Sequence, residues 1–95
     1  MPTTVPSLVE RLLPVLRKYG ARRAGVFGSY ARGQADAKSD LDLLVELPPG
    51  SSLLDLIGLE QDLSDALGLS VEATTYRALH PLLREHVLQD EIRIL

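Results

Sequence analysis

Two different spacings of apolar residues alternate along the chain and predict its elements. Apolar residues recur every three or four positions in three segments, which predicts amphipathic helices over about 7–19, 52–67 and 81–89. Shorter runs with an apolar residue at every second position predict strands at 22–27, 40–47, 70–75 and 91–95. A single helical turn over 29–32 is predicted between the first two strands, because Ser29 can cap it and Gly33 can close it.

The lengths of the connections predict how the strands pair. The first two strands are joined by too short a segment for a full crossover, so we expect them to be antiparallel. The strands on either side of the long second helix can be parallel through a right-handed crossover. The expected fold is α/β (α+β), a small mixed sheet with helices packed mainly on one face. The 95 residues should form a single domain over 1–95, with residues 1–6 flexible.

Several local features give more detailed expectations. Ser7 has the spacing of a capping residue for the first helix, and Pro14 should kink that helix or mark a late start. The acidic residues of the long helix are interpreted as its solvated face; they are Glu60, Asp62 and Asp65. In the last strand, Ile92 and Ile94 should point inward.

Composition limits the classes of function. The net charge of −3 and the 4% of aromatic residues disfavour a protein that binds nucleic acid through bulk charge and base stacking. The absence of cysteine excludes disulfides and thiolate metal sites. No apolar run approaches the roughly 18 residues of a membrane span, and no secretory signal is visible, so the expected location is the cytoplasm.

The candidate chemistry lies in one spacing: Gly28-Ser29, ten residues, then Asp40-Leu41-Asp42. A glycine before a helical turn lets a phosphate approach unpaired backbone N–H groups, and the Ser29 hydroxyl can add a donor. Strand alternation puts Asp40 and Asp42 on one face, and carboxylate oxygens are ligands that Mg²⁺ prefers. Two such ions can activate an attacking oxygen and stabilise a leaving one. An antiparallel hairpin would bring the glycine and the aspartates to one edge.

The segment Gly28-Ser29-Tyr30-Ala31-Arg32-Gly33 … Ser39-Asp40-Leu41-Asp42-Leu43-Leu44-Val45 resembles the signature of the minimal nucleotidyltransferases, within the DNA polymerase beta-like superfamily. This resemblance implies a polymerase beta-like core and three catalytic carboxylates. The first two match Asp40 and Asp42, as metal ligands. The third lies on a later strand, where Glu72 is the candidate, although the family usually has aspartate there. A solvent-exposed Glu72 with no catalytic role is the alternative.

The same resemblance implies a reaction and a partner. Many minimal nucleotidyltransferases are antitoxins paired with a helical HEPN-domain toxin, to which they transfer AMP from ATP. The expectation is therefore a Mg²⁺-dependent transferase that uses ATP, modifies a protein hydroxyl and can form a hetero-oligomer. Arg32 is a candidate contact for phosphate or partner, or else an exposed arginine of a turn. The alternative function is a weakly active or inactive binding module that neutralises its partner by forming a complex.

Overall fold

The computed structural model describes residues 5–36 and 38–95. In this part of the chain, helices and strands follow one another in the predicted order: α1 Val5–Lys18, β1 Arg23–Phe27, α2 Gly28–Ala31, β2 Leu41–Glu46, α3 Leu53–Leu67, β3 Val71–Thr75, α4 Pro81–Asp90 and β4 Ile92–Arg93. None of these helices is long and apolar enough to cross a membrane.

The strands form one mixed sheet in the order β3-β2-β1-β4. Strand β1 is antiparallel to both β2 and β4, while β2 and β3 are parallel. The antiparallel hairpin and the parallel pair joined by α3 are both confirmed. The expected α+β architecture with a small mixed sheet is therefore correct.

The hydrophobic core lies between the sheet and the helix pair α1 and α3. Both helices contribute fully buried leucines, and the three longer strands contribute the residues of their core-facing side; the fully buried members are Leu12, Leu16, Ala24, Val26, Leu41, Leu43, Val45, Leu59 and Leu63. Helix α4 packs elsewhere, against α2 and β1, and none of its ten residues, all of them described, is buried. The opposite face of the sheet therefore carries α4, polar side chains of the strands and the fully buried Leu44.

Both ends of α3 are capped. The Ser52 hydroxyl accepts a hydrogen bond from the Asp55 backbone N–H, and the Asp55 carboxylate accepts one from the Ser52 N–H, which completes a capping box. Gly68 ends the helix with φ +70°, a left-handed conformation that glycine adopts without a Cβ clash. These caps fix where the crossover between β2 and β3 begins and ends.

The structure corrects two expectations for the terminal elements and excludes one of the two alternatives for Pro14. Helix α1 begins at Val5, so Ser7 lies in its first turn and is not its N-cap. The helix continues through Pro14, which therefore does not mark a late start. Ile92 is 40% exposed because β4 is only two residues long at the edge of the sheet, whereas Ile94 packs against the core. Of the expected flexible segment, residues 1–4 lie outside the described residues, and Val5 and Pro6 are helical.

Candidate active site

The sheet register brings the predicted carboxylates together. Asp42 lies opposite Phe27 of β1 on one side and opposite Glu72 of β3 on the other. Asp42 and Glu72 therefore point from the same face of neighbouring strands, away from the core. Asp40 is exposed and directly precedes β2, which begins at Leu41 and not at Asp40 as predicted.

Gly28 directly follows β1 and lies against the Asp42 carboxylate. Its φ is +72°, so the chain turns sharply there. A Cβ atom at this position would overlap Asp42 Oδ2 and lie 3.2 Å from Asp42 Cγ. Glycine is required both for the backbone conformation and for the close approach of the carboxylate. This contact joins the two halves of the sequence motif.

Ser29 lies inside the short helix and is not its N-cap, contrary to the expectation. Helix α2 begins at Gly28, and Phe27 occupies the N-cap position without a side-chain capping bond. The sharp turn at Gly28 starts the helix two residues earlier than a Ser29 cap would. The Ser29 carbonyl accepts a hydrogen bond from the Gln34 N–H at 2.8 Å, which fixes the turn that follows.

The charges around Asp42 make its ionised form costly. Burial raises the pKa of the Asp42 carboxyl group above its usual value, and the negative charges of Glu72 and Asp40 raise it further. The positive charge of Arg32 opposes them. These carboxylates are therefore close enough to repel one another, and a bound cation would relieve that repulsion.

Arg32 is the C-cap residue of α2. It lies between α4 and the acidic cluster, which consists of Asp40, Asp42 and Glu72. Its Nη1 contacts Asp90 Oδ2 at 3.1 Å, and its Nε donates to Gln34 Oε1 at 3.3 Å. Both partners of the ion pair are partly exposed, so the pair contributes little to stability. Its main consequence is positional, because it keeps a guanidinium group beside the carboxylates.

We expect the substitution Asp42→Asn to stabilise the metal-free protein. Since the pKa of Asp42 is raised on folding, the unfolded chain loses this proton first as the pH rises, and folding stability falls through the interval between the two pKa values. In EDTA at pH 7, Asp42→Asn should raise Tm by no more than about 5 °C, because the site is partly open to water. Near pH 3 the two proteins should unfold at the same temperature. A lower Tm for the variant at pH 7 would contradict this electrostatic account.

The carboxylate oxygens of Asp40, Asp42 and Glu72 suit Mg²⁺, although these side chains do not converge on a single ion position. Among residues 5–36 and 38–95, no three His, Cys, Asp or Glu side chains are grouped so that they could hold an ion as they stand. Asp40 and Glu72 are exposed, as expected for like charges that repel one another. Three carboxylates on one edge nevertheless supply the hard oxygen ligands that Mg²⁺ prefers. Asp40, Asp42 and Glu72 are therefore suitable ligands for this ion.

A network of polar side chains fixes the far end of the same sheet face. The Arg23 guanidinium lies 4.2 Å from the centre of the Tyr76 ring, and its Nη2 contacts Glu91 Oε1 at 3.2 Å. The Tyr76 hydroxyl donates to Glu91 Oε2, and burial raises the pKa of Tyr76. A Cβ at Gly25 would overlap the Glu91 carboxylate, so glycine leaves room for it. This network attaches the end of α4 to β1, and its long-range contacts were not visible in the sequence.

A groove of about 740 Å³ lies at the far end of strands β2 and β3, away from Asp40, Asp42 and Glu72. It is lined by the residues that follow β2 and β3, and by the start of α3. Asp42 and Glu72, by contrast, lie near the first residues of β2 and β3. The groove is therefore separate from the candidate catalytic site.

Two further residues, missed in the sequence, hold the strand of Glu72. The Glu60 Oε2 atom accepts a hydrogen bond from the Ala73 N–H at 2.8 Å, and the Ser64 Oγ atom accepts one from the Val71 N–H at 3.1 Å.

Glu60 was interpreted as part of a solvated face, as was Asp62. The Asp62 carboxylate instead accepts a hydrogen bond from the Tyr19 hydroxyl at 2.7 Å. The only available signal was the four-residue spacing of Glu60 and Ser64.

Comparison with known proteins assigns the fold and the motif to a family. Residues 9–94 match the family model described as "Nucleotidyltransferase domain", so the chain belongs to the nucleotidyltransferase domain family. Within that family it is a minimal nucleotidyltransferase, as the resemblance in the sequence implied. A solved structure described as that of a provisionally assigned minimal nucleotidyltransferase is 43% identical, with a TM-score of 0.81 over 93% of this chain and 90% of that one.

Two similar proteins are named as protein adenylyltransferases. A Methanocaldococcus jannaschii protein, provisionally named protein adenylyltransferase, is 41% identical over 91 residues, which cover 96% of this chain and 98% of that one. Protein adenylyltransferase MntA of Thermococcus cleftensis is 39% identical, over 81% and 78% of the two chains.

Two more distant solved structures share the fold. One is a toxin–antitoxin with AMP-PNP, 22% identical, with a TM-score of 0.81 over 92% of this chain and 72% of that one. The other is a tri-AMPylated Shewanella oneidensis HEPN toxin in complex with an MNT antitoxin, 20% identical, with a TM-score of 0.73 over 93% and 69%. At these identities the likeness concerns the fold.

Proposed function

We propose that this protein is a Mg²⁺-dependent protein adenylyltransferase that transfers AMP from ATP to a hydroxyl group of a HEPN-domain partner. The observation that carries the proposal is the meeting of Gly28, Asp42 and Glu72 at one edge of the sheet. The names of its relatives, and the AMPylated HEPN toxin in a structure of the same fold, support the nature of the group transferred and of the acceptor. The other fold neighbour, which carries AMP-PNP, supports a nucleotide substrate.

In this proposal each element of the site has a stated role, and Glu72 has two. Gly28 and Ser29 hold the β- and γ-phosphates at the turn after β1, where backbone N–H groups are available and no Cβ intrudes. Asp40 and Asp42 provide carboxylate oxygens for Mg²⁺, with Glu72 as a third ligand. When bound, Mg²⁺ neutralises negative charge on the phosphates and lowers the pKa of a coordinated hydroxyl. Arg32 supplies a further positive charge beside the phosphates.

The reaction forms one bond and breaks one. The oxygen of the partner's hydroxyl attacks the α-phosphorus of ATP, and the bond between that phosphorus and the oxygen bridging to the β-phosphate breaks. AMP is thereby joined to the partner, and pyrophosphate leaves. Glu72 orients the attacking hydroxyl and accepts its proton. The partner must therefore approach the exposed side of β3, where Glu72 is accessible.

The direct test uses the protein, Mg²⁺, α-labelled ATP and the partner. A small helical protein encoded by the neighbouring open reading frame, with an arginine and a histidine separated by four to six residues, is the partner to use. Label should become covalently attached to that partner and remain after denaturation. ATP labelled at the γ-phosphate should transfer nothing, because the γ-phosphate leaves with pyrophosphate. Covalent label from γ-labelled ATP would contradict AMP transfer.

The glutamate at position 72 favours a second candidate, a binding module with an attenuated site. In the register of the sheet Glu72 lies directly opposite Asp42, so an aspartate there would start from the same backbone position, one methylene shorter. We expect Glu72→Asp to change the transfer rate by less than about tenfold, because the exposed glutamate has room to adjust. Steady-state transfer by the two proteins under saturating ATP is the measurement. A larger increase in the variant would favour the binding module.

A further inference from the structure

The strand that carries Glu72 is an edge strand. Within the described sheet, β3 pairs with β2 on one side and has no strand on the other. An edge strand is held by a strand ladder on one side only and is consequently easier to displace than a central one. Asp42 lies on β2, between two strands, so its backbone is fixed on both sides. The backbone that carries Glu72 is therefore held less rigidly than the backbone that carries Asp42.

Two side chains of α3 occupy the free edge of β3, on either side of Glu72. The Val71 N–H donates to Ser64 Oγ at 3.1 Å, and the Ala73 N–H donates to Glu60 Oε2 at 2.8 Å. Residues 71 and 73 are the immediate neighbours of Glu72. Their N–H groups point to the same side of the strand, since this direction alternates along a strand. Both outward backbone donors that flank Glu72 are thus bound by one helix.

Helix α3 is well suited to hold the strand. Glu60 and Ser64 are one turn apart and therefore lie on the same side of the helix. The Ser64 hydroxyl also donates to the Glu60 carbonyl at 2.9 Å, which fixes the direction of its acceptor lone pair. Leu59 and Leu63, next to these residues in sequence, are 0% exposed and fix the helix in the core. Because α3 is fixed in the core and binds β3, the position of β3 relative to the core is fixed as well.

We propose that Glu60, assisted by Ser64, is a positioning residue that sets the place of Glu72 at the active site. The inference rests on the proposed function. Glu72 is exposed, and no hydrogen bond from the described residues 5–36 and 38–95 orients its side chain, so the backbone of β3 largely determines where its carboxylate can reach. A displacement of about 1 Å at a reacting group can reduce a rate by on the order of a hundredfold, and adjustment of the exposed Glu72 side chain would recover only part of that loss. Glu60 acts through Glu72 and does not touch the substrates.

The test compares Glu60→Leu, Glu60→Gln and Ser64→Ala in the transfer assay with the HEPN partner. Leucine removes the acceptor for the Ala73 N–H, so kcat should fall by about tenfold. The KM for ATP should change by less than about twofold, because the phosphate turn at Gly28 lies on the other side of β2. Glutamine keeps an acceptor oxygen without the charge and should restore kcat to within about twofold of wild type. Ser64→Ala should lower kcat in the same direction.

Gln61→Leu is the matched control. Gln61 is exposed on the same helix and bonds to Asp65, not to β3, so its replacement should leave kcat unchanged. Thermal melts of all variants show whether each is folded, and Ser64→Ala keeps the test open if Glu60→Leu is not. Equal kcat for wild type, Glu60→Leu and Ser64→Ala would overturn the positioning role alone. Absence of transfer by the wild type would instead overturn the proposed function, and this inference with it.

Discussion

Replacement of Asp40 and Asp42 together by asparagine is expected to abolish the transfer of labelled AMP to the partner. The double variant removes two of the three carboxylates that we propose as Mg²⁺ ligands. A metal ion contributes several kcal/mol to stabilisation of the transition state, and each 1.36 kcal/mol corresponds to a factor of ten, so the loss should be on the order of 10³-fold or more. The measurement is covalent label on the partner from α-labelled ATP, over a time course long enough to detect slow transfer.

The fold of this variant should survive, which makes the result interpretable. Asp42→Asn removes a carboxylate whose ionisation is costly in the metal-free protein, so the melting temperature should not fall. Asp65→Asn with Glu10→Gln is the matched control, because it neutralises two exposed carboxylates on α3 and α1, which pack on the other face of the sheet from Asp42. Undiminished transfer by the Asp40→Asn/Asp42→Asn protein would refute the proposed catalytic site.

The substitution Gly28→Ala should have the second-largest effect. The added methyl group would overlap Asp42 Oδ2, and alanine strongly disfavours the φ of +72° at this position. Either the carboxylate moves or the turn after β1 rearranges, and each change separates the phosphate turn from the metal ligands. We expect transfer to fall by on the order of a hundredfold. Initial rates at saturating ATP and Mg²⁺ measure the effect.

Gly33→Ala separates the two causes. Gly33 has nearly the same conformation, with φ +71°, but no atom lies within 4 Å of the place where its Cβ would be. Both variants should therefore lose about 1 kcal/mol of stability from backbone strain, as measured by urea unfolding. Only Gly28→Ala should lose most of its transfer activity. If Gly33→Ala loses as much, the contact between Gly28 and Asp42 is not what matters.

The sequence predicted the elements well because their signals are local. Alternation along β2 and β3 and the three- and four-residue spacing in α1 and α3 depend on neighbours in the chain. The errors arose where a tertiary contact replaced a local one. Glu60 was interpreted as solvated with the other acidic residues of α3, but its carboxylate binds the backbone of β3. Ile92 was expected to be buried, but its strand ends after two residues.

The parts of the candidate site divide in the same way. The motif from Gly28 to Asp42 was readable because a short antiparallel hairpin must bring its two ends together. Glu72 was found through family resemblance, and the parallel register between β2 and β3 then placed it opposite Asp42. The pairing of Arg32 with Asp90 joins residues 58 positions apart, and no local pattern encodes such a contact.

By itself, the sequence determined the order of helices and strands, the mixed sheet, and a glycine turn followed by paired aspartates. It could do so because periodicity, capping and hairpin length act over a few residues. Only the tertiary structure decided that the Asp42 carboxylate lies against Gly28, that Glu72 stands beside it, and that α3 holds the edge strand of Glu72. Those contacts depend on the register between strands and on how α3 packs over the sheet. Packing of the core sets both, and it involves residues far apart in the chain.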